Sequence, residues 1–346
     1  MSDHETAVHS HDLLLIGGGA AALGALCSLI RTGEIEGQSI LMLDDNPGRC
    51  GRSGAYAQTY DVPVGTLLAC LDGLYDTIRE DRELGAMIAK MGQRDSRATR
   101  PSVEAFLAHL KKLVLNRLRR DGTLLLRAAR CDTLRFNQDL WRVDNQPGST
   151  SKRVLMACGA SEKKTEILAA LLDAGMCPSD LDCVVPSSEA LGNDRDSVLQ
   201  RLAVAKSPII LGQTDAAADA VRRQLSDWSR MDAARKIETY TISAPNIEDT
   251  LGAADLVITV LDETPNFPRI IVNGQVAKFG GAANVNGSAQ LTDRTGLLLP
   301  SLTVTGPGLG STSDDDVTRD LPRWFSEDGE RAACMRMIAP DSAKAA

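Results

Sequence analysis

The chain has 346 residues, enough for one large domain or two ordinary ones. Its residues are 43% hydrophobic but only 3% aromatic, so a buried core must consist mainly of Leu, Ala, Val and Ile. The formal charge of −8 argues against nucleic acid or an anionic membrane as a partner, and the lack of an apolar run of about 18 residues predicts no membrane-spanning helix.

The first predicted elements are a strand, a glycine turn, a helix and a second strand. Residues 1–11 are polar and predict a disordered tail, whereas the apolar runs 13–16 and 39–44 predict buried strands. Between these runs, the residues that match the dinucleotide-binding fingerprint are Gly17, Gly18, Gly19, Ala20, Ala21 and Ala22. The pattern predicts a nucleotide site, with a merely glycine-rich turn as the alternative.

Each position of this fingerprint has a physical reason. Gly17 permits the tight turn, Gly19 lets a pyrophosphate approach the backbone, and Ala22 allows close packing of helix on strand. The helix N-terminus offers N–H groups and partial positive charge to phosphates. Asp44 follows Ala22 by 22 positions, near the spacing of about 20 expected for a carboxylate that holds a ribose hydroxyl. Asp45 takes this role if the strand ends one residue later.

Residues 45–159 are predicted to form helices followed by strands. A turn-rich loop with Arg49 and Arg52 comes after Asp45, and Ser102 is the predicted N-cap of the second helix. In chain order, the predicted elements are helices over 64–95 and 102–119, a strand at 123–128, a hairpin within 131–143 centred on Asn137, and a strand from 153 that breaks at Gly159.

A second, weaker fingerprint begins at residue 207. A strand leads into Gly212, Gln213 and Thr214, an alanine-rich helix follows, and further strands are predicted at 236–242 and 255–261. Thr214 stands at the middle glycine position, where its β-carbon would crowd a pyrophosphate. The segment is therefore either a nicotinamide site or an inherited fold whose site is modified or lost.

The C-terminal region predicts one more strand, which stops at three glycines, Gly306, Gly308 and Gly310, before a loose tail at 339–346. The predicted fold class is α/β, with a Rossmann-like first domain and an inserted second Rossmann-like domain.

The cysteines and histidines argue against a metal site and against triad chemistry. None of the eight cysteines forms Cys-x-x-Cys and no Cys/His cluster has zinc-finger spacing, so we expect buried free thiols in a cytoplasmic protein. Cys177 and Cys183 are either a redox pair or two unrelated thiols, and we favour the second interpretation. Outside the predicted tail the only histidine is His109, which we interpret as a packed or surface side chain rather than a base.

Taken in order, these segments resemble the flavoproteins with two dinucleotide-binding domains. The resemblance rests on the units 17–44, 156–160, 207–261 and 302–310 and covers about 300 residues. Arg100-Pro101-Ser102 and the 106–110 segment are similar to the flavin-containing monooxygenase and N-hydroxylase branch. The disulfide-reducing branch needs a paired-cysteine motif that this chain lacks.

The resemblance implies FAD as the cofactor, with NAD(P)H as a second nucleotide. It implies an FAD domain at 12–160 and 290–338 and a second domain at 161–289. The residues implied to contact FAD are Gly17, Gly18, Gly19, Ala20, Ala21, Ala22, Asp44, Asp45, Arg52, Gly159, Gly306, Gly308 and Gly310; those implied for the second nucleotide are Gly212, Gln213 and Thr214. Three residues depart from the family pattern: Cys158 for Thr, Thr214 for Gly, and Pro307 where Gly-Asp is expected.

The resulting expectation is an FAD-dependent oxidoreductase that acts on a small molecule, best matched by a monooxygenase-like enzyme. No catalytic side chain is assigned, because the flavin carries such chemistry. The substrate pocket is expected near 49–66 and 263–288, and Arg49 and Arg52 could each bind an FAD phosphate, bind an anionic substrate or lie in solvent. The alternative is a non-catalytic or regulatory nucleotide-binding subunit of a larger complex, and a homo-oligomer is also compatible. A plain NAD-dependent dehydrogenase is a weaker third interpretation.

Overall fold

The protein is described by a computed structural model that covers residues 9–48, 50, 62–98, 100–161, 164–177, 182–190, 195–229, 237–260, 264–265, 267–278, 284–285, 290–292, 298–305 and 325. Its strands are β1 His9–Ile16, β2 Ile40–Asp44, β3 Val62–Pro63, β4 Arg97–Ala98, β5 Leu124–Ala128, β6 Thr133–Asn137, β7 Leu140–Val143, β8 Ser149–Met156, β9 Ala160–Ser161, β10 Val184–Pro186, β11 Pro208–Gly212, β12 Glu238–Thr241, β13 Leu256–Val260, β14 Thr264–Pro265, β15 Arg269–Val272, β16 Gln275–Val276, β17 Asn284–Val285, β18 Gln290–Thr292 and β19 Leu298–Val304.

Its helices are α1 Ala20–Arg31, α2 Val64–Ala69, α3 Asp76–Arg79, α4 Arg82–Met91, α5 Arg100–Arg120, α6 Lys164–Asp173, α7 Ser187–Ala190, α8 Arg195–Val204, α9 Asp215–Ser229 and α10 Ile247–Ala253. No helix among the described residues is both long enough and apolar enough to cross a lipid bilayer.

The chain divides into two compact units. The described residues up to 50, from 62 to 159 and from 265 onward belong to the first unit, and those from 160 to 264 to the second. The second unit is thus an insertion between two segments of the first.

The first unit is built on one large sheet whose parallel part has the order β5-β2-β1-β8. This is the Rossmann order: β1 lies at the centre, β2 and β5 lie on one side of it, and β8 lies on the other. The second half of β1, residues 13–16, and nearly all of β2 are apolar and buried because a parallel sheet is covered on both faces. Strand β19 pairs in parallel with the carboxyl half of β8 and extends the sheet.

An antiparallel meander joins the same sheet. Strands β6 and β7 form the hairpin expected around Asn137, and the turn residues Gln138 and Asp139 have φ of 52° and 60°, which suits a tight two-residue connection. Trp141 of β7 is fully buried against Phe136, with ring centroids 5.0 Å apart. This hairpin packs its inner face on the core that β1, β2 and β8 also line.

The second unit is a four-stranded parallel sheet with the order β10-β13-β11-β12. Alternate residues of its central strands enter different cores: Ile210 and Ile258 face one cluster, whereas Ile209 and Val257 face the other. Both faces are therefore buried, as a doubly wound sheet requires. The predicted α/β class with two Rossmann-like units is confirmed.

Four local expectations differ from the structure. Residues 9–11, assigned to a disordered tail, form the start of β1 because β8 offers them a parallel partner at Ser149–Ser151. The region 64–95 is divided into α2, α3 and α4, and α5 begins at Arg100, so Ser102 lies inside the helix rather than capping it. Strand β15, which the sequence analysis placed in the second domain, pairs with β6 in the large sheet, where Ile270 and Val272 join the core.

Candidate functional site

The turn between β1 and α1 is shaped by backbone contacts that only glycine allows. Gly17 has a φ of +101°, and a β-carbon there would lie 2.3 Å from the carbonyl oxygen of Ala157. Its N–H donates to the carbonyl of Leu43 at 2.8 Å. The turn is thereby fixed between the carboxyl ends of β2 and β8, the two neighbours of β1.

Helix α1 begins immediately after this turn with an open N-terminus. Its N-cap residue is Gly19, no side chain caps the helix, and its first turn contains no acidic residue. Ala20, Ala21 and Ala22 are all buried, and their small side chains let the helix lie close to the sheet. Backbone N–H groups and the helix dipole at such an end attract an anion, for example a pyrophosphate.

Asp44 ends β2 beside the same turn and forms a buried ion pair. Its Oδ2 atom lies 2.6 Å from Nζ of Lys111, and the two side chains are 4% and 3% exposed. Its Oδ1 atom accepts a hydrogen bond from the backbone N–H of Asn46 at 3.1 Å. A β-carbon on Gly18 would lie 1.8 Å from Oδ2, so the carboxylate occupies the space that a side chain at this position would need.

Lys111 is the site residue that sequence reasoning missed. It comes from α5, whose apolar residues Val103, Leu107, Leu110, Val114 and Leu118 form a buried stripe at helical spacing. Lys111 lies within that stripe, whereas the adjacent Lys112 is exposed. The signal was therefore present as a cation at a core position of an amphipathic helix.

The end of β8 completes this edge of the sheet. The Ala157 N–H donates to the carbonyl of Ile16 at 2.8 Å, and Gly159 has a φ of +70°. The Cys158 thiol, where the family pattern has Thr, approaches the Ile16 carbonyl at 3.8 Å, and burial raises its pKa to about 12. This thiol remains protonated at neutral pH and serves as packing rather than as a nucleophile.

The structure thus brings several predicted residues together at the carboxyl ends of β1, β2 and β8. Asp45 lies just beyond β2 and is exposed. The residues brought together are Gly17, Gly18, Gly19, Ala20, Ala21, Ala22, Asp44 and Gly159. The predicted contacts Arg52, Gly306, Gly308 and Gly310, together with Arg49, lie outside the described residues.

The second fingerprint forms a turn of a different kind. A β-carbon on Gly212 would lie 2.6 Å from the Thr214 carbonyl oxygen and 2.9 Å from Cβ of Ala218, so glycine is required there for packing. The Gln213 N–H donates to Val260 at 2.8 Å, which holds the turn against β13. Asp215 stands in the first turn of α9, where its negative charge opposes the binding of a phosphate.

The contacts of the remaining candidate groups indicate a structural role. Nε2 of His109 lies 2.9 Å from Asp81, the N-cap of α4, and Nδ1 lies 3.5 Å from Glu83, so the imidazole joins α5 to α4. Cys177 and Cys183 form no disulfide with each other. Within the described ranges, no group of three or more His, Cys, Asp or Glu side chains could hold a metal ion.

Comparison with known proteins gives matches of structure but not of sequence. No family model and no curated protein matches the chain. Among solved structures, the FAD-bound cadaverine monooxygenase of desferrioxamine biosynthesis from Erwinia amylovora is 14% identical, with 96% of this chain and 95% of that chain covered and a TM-score of 0.54.

Two further structures match over nearly the whole chain. The bacillithiol disulfide reductase of Staphylococcus aureus is 11% identical, with 95% of this chain and 98% of that chain covered and a TM-score of 0.49. A flavin monooxygenase mutant from Stenotrophomonas maltophilia is 14% identical, with 94% and 98% covered and a TM-score of 0.45. The likeness to the Erwinia structure concerns the fold alone, an α/β fold with two Rossmann-like units, as the sequence predicted.

Proposed function

We propose that this chain is an FAD-dependent oxidoreductase that holds FAD at the turn between β1 and α1. The observation that carries the proposal is the uncapped N-terminus of α1, which follows a turn closed by Gly17 and lies beside the carboxylate of Asp44. The anion-binding end of α1 follows β1, and the ribose-binding carboxylate ends the adjacent strand β2. These are the two contacts that an adenosine diphosphate moiety requires. The Erwinia structure that shares the fold is bound to FAD.

The described residues fit this cofactor. Gly19 and the first turn of α1 would hold the pyrophosphate, Asp44 would hold the adenosine ribose, and the backbone at Gly159 would approach the cofactor from β8. Arg52, Gly306, Gly308 and Gly310 remain proposed contacts from the sequence. Bound FAD supplies the redox chemistry of its isoalloxazine ring, so the protein has to bind, orient and shield it.

The Gly19→Val variant tests FAD binding directly. Gly19 has a φ of −76° and a ψ of −172°, an extended conformation open to valine, so the variant should fold while its branched side chain blocks the pyrophosphate. We expect the wild type to carry or take up FAD, seen in its absorbance spectrum and as a thermal shift, and the variant to lose both. Gly85→Val is the matched control, because Gly85 lies in α4 with open space around it. A wild type that stays colourless and ignores added FAD would contradict the proposal.

We further propose monooxygenase-like oxidation of a small molecule. Chemistry at the buried Cys50, Cys70 and Cys131 thiols is disfavoured because burial raises the pKa of each to about 12. The Erwinia protein of the same fold is named as a monooxygenase. The dithionite-reduced holoprotein, mixed with oxygen and a panel of amines, ketones and sulfides, tests this step: a product that carries one oxygen atom, with the other released as water, supports it, and hydrogen peroxide as the only product of every reaction contradicts it.

A second candidate is a non-catalytic FAD-binding subunit, favoured by the second fingerprint. Thr214 and Asp215 place a β-carbon and a carboxylate where NAD(P)H would need space and positive charge. In this form the chain would assemble with itself or with a catalytic partner. We propose a cytoplasmic location for either function, because the free thiols of Cys27, Cys50 and Cys70 suit a reducing compartment. Light scattering of the purified protein measures the assembly.

A further inference from the structure

The buried pair of Lys111 and Asp44 has a feature that packing alone does not require. Lys111 occupies the apolar stripe of α5, where an aliphatic residue would avoid the cost of removing an ammonium from water. Its Nζ atom instead lies 2.6 Å from Oδ2 of Asp44, a residue 67 positions away in the sequence. The cation is thus aimed at the one carboxylate that the fingerprint assigns to a ribose.

The remaining hydrogen-bond capacity of that carboxylate suits a diol. An ionised carboxylate has about four acceptor positions, two on each oxygen. Lys111 takes one position on Oδ2, and the Asn46 N–H takes one on Oδ1. Beyond these two contacts each oxygen keeps one further position, which matches the two adjacent hydroxyls of a ribose.

The same two contacts also fix the orientation of the carboxylate. Lys111 and Asn46 approach different oxygens, so they define the plane of the group as well as its place. Gly18 contributes by leaving open the space that Oδ2 fills. Neutral Cys50 lies beside the pair, with its thiol pKa raised to about 12 by burial, so the ammonium has no competing thiolate.

We propose that Lys111 is a positioning residue of the ribose site, which orients Asp44 so that its two oxygens accept the two ribose hydroxyls together. This inference rests on the proposed binding of FAD at this turn. Lys111 itself does not touch the nucleotide. The alternative is a purely structural ion pair, in which Lys111 supports the fold and the preference for a ribose over a deoxyribose does not depend on it.

The experiment compares two ligands on three proteins. The ligands are FAD and an FAD analogue that lacks the 2′-hydroxyl of its adenosine, and the proteins are the wild type, Lys111→Met and the exposed control Lys112→Met. Each dissociation constant is measured by quenching of flavin fluorescence, and circular dichroism records folding. A hydrogen bond to a charged group makes the wild type prefer FAD by about tenfold or more. We expect Lys112→Met to keep this preference and Lys111→Met to reduce it to roughly threefold or less, because a carboxylate without its ammonium loses its fixed orientation.

The outcomes separate the two proposals. Equal weakening of both ligands by Lys111→Met, with the preference kept, would mean a structural pair and would overturn this inference while the proposed function stands. A wild type that binds neither ligand would overturn both. If Lys111→Met fails to fold, Lys111→Gln keeps a polar group in the buried position but removes the charge and shortens the side chain, and the same fall in preference is expected from it.

Discussion

At the scale of single residues, the candidate site depends on the missing side chains of two glycines as well as on the side chains of Asp44 and Lys111. Gly17 and Gly18 have no β-carbon, and this lets the Ala157 carbonyl, just after β8, and the Asp44 carboxylate of β2 lie against the turn. The identities of these residues could be predicted because the fingerprint is local in sequence. Lys111 could not be predicted as a partner of Asp44, because their contact depends on how α5 packs on the sheet.

The variant Asp44→Ala is expected to act on both binding and stability. Loss of a charge-assisted hydrogen bond should weaken FAD binding by roughly ten- to a hundredfold. The variant also leaves the buried Lys111 ammonium without its counter-charge, a change that typically costs about 3–5 kcal/mol of unfolding free energy. Fluorescence titration and urea unfolding measure the two effects.

Asp45→Ala is the matched control for this prediction, because Asp45 is the next residue and is exposed. It should change neither quantity appreciably. If Asp45→Ala weakens FAD binding and Asp44→Ala does not, the assignment of the ribose carboxylate is wrong by one residue.

At the scale of elements, local patterns predicted which strands exist better than which strands pair. The apolar runs of β1, β2, β11 and β13 were recognised from sequence because a strand covered on both faces is continuously apolar. The polar residues of His9–His11 were not recognised as strand, since only their partner at the start of β8 gives them a ladder. Strand β15 was assigned to the second domain, whereas it pairs with β6 of the first unit, more than a hundred residues earlier in the chain.

The junction of α4 and α5 should respond to acid through Asp81. The Leu84 N–H and then the His109 ring hold the pKa of Asp81 below its ordinary value. A carboxyl group whose pKa is lowered in the folded state stabilises that state above its unfolded pKa of about 3.9, and this contribution is lost as the pH falls through the folded value. Asp81→Asn keeps a capping side chain but removes the charge, so the stability difference between wild type and variant should shrink below about pH 4.

Urea unfolding at several pH values between neutral and strongly acidic measures this difference. A gap between wild type and Asp81→Asn that stays constant across the acidic range would show that the Asp81 carboxylate does not contribute to the acid response of this junction.

At the scale of the whole molecule, two units of the same architecture differ in what their first turns can accept. The turn after β1 leads into an uncapped helix without an early acid, whereas the turn after β11 leads into a helix that begins with Asp215. The fold class and the presence of both units followed from sequence. The function of the second unit does not follow from its fold, because a Rossmann layer persists without its ligand as long as its core is intact.

We therefore expect NADPH to reduce the flavin slowly or not at all in the wild type. Thr214→Gly should accelerate the reaction if Thr214 is the main obstacle, because it removes the β-carbon at the pyrophosphate position. Anaerobic bleaching of the flavin band near neutral pH measures both proteins. Rapid stoichiometric bleaching of the wild type by micromolar NADPH would contradict this expectation and would support an ordinary monooxygenase cycle.

No bleaching in either protein would leave the steric argument about Thr214 without support. It would favour Asp215 as the obstacle, or a structural flavin, or a different electron donor. Asp215→Asn combined with Thr214→Gly then distinguishes the charge from the β-carbon.

Strand β8 has different partners along its length, and this fixes an order of assembly. Its first half pairs with β7 at Ser151, its second half pairs with β19 at Val154–Met156, and β1 accompanies both halves. During synthesis the ribosome releases β8 long before β19, with the whole second unit between them. The edge of β8 that later pairs with β19 therefore has unpaired backbone groups until β19 is synthesised. The inserted unit can already fold during this time, because its sheet pairs only within residues 184–260. The large sheet that starts with β1 is in this sense completed only after the inserted unit has been synthesised.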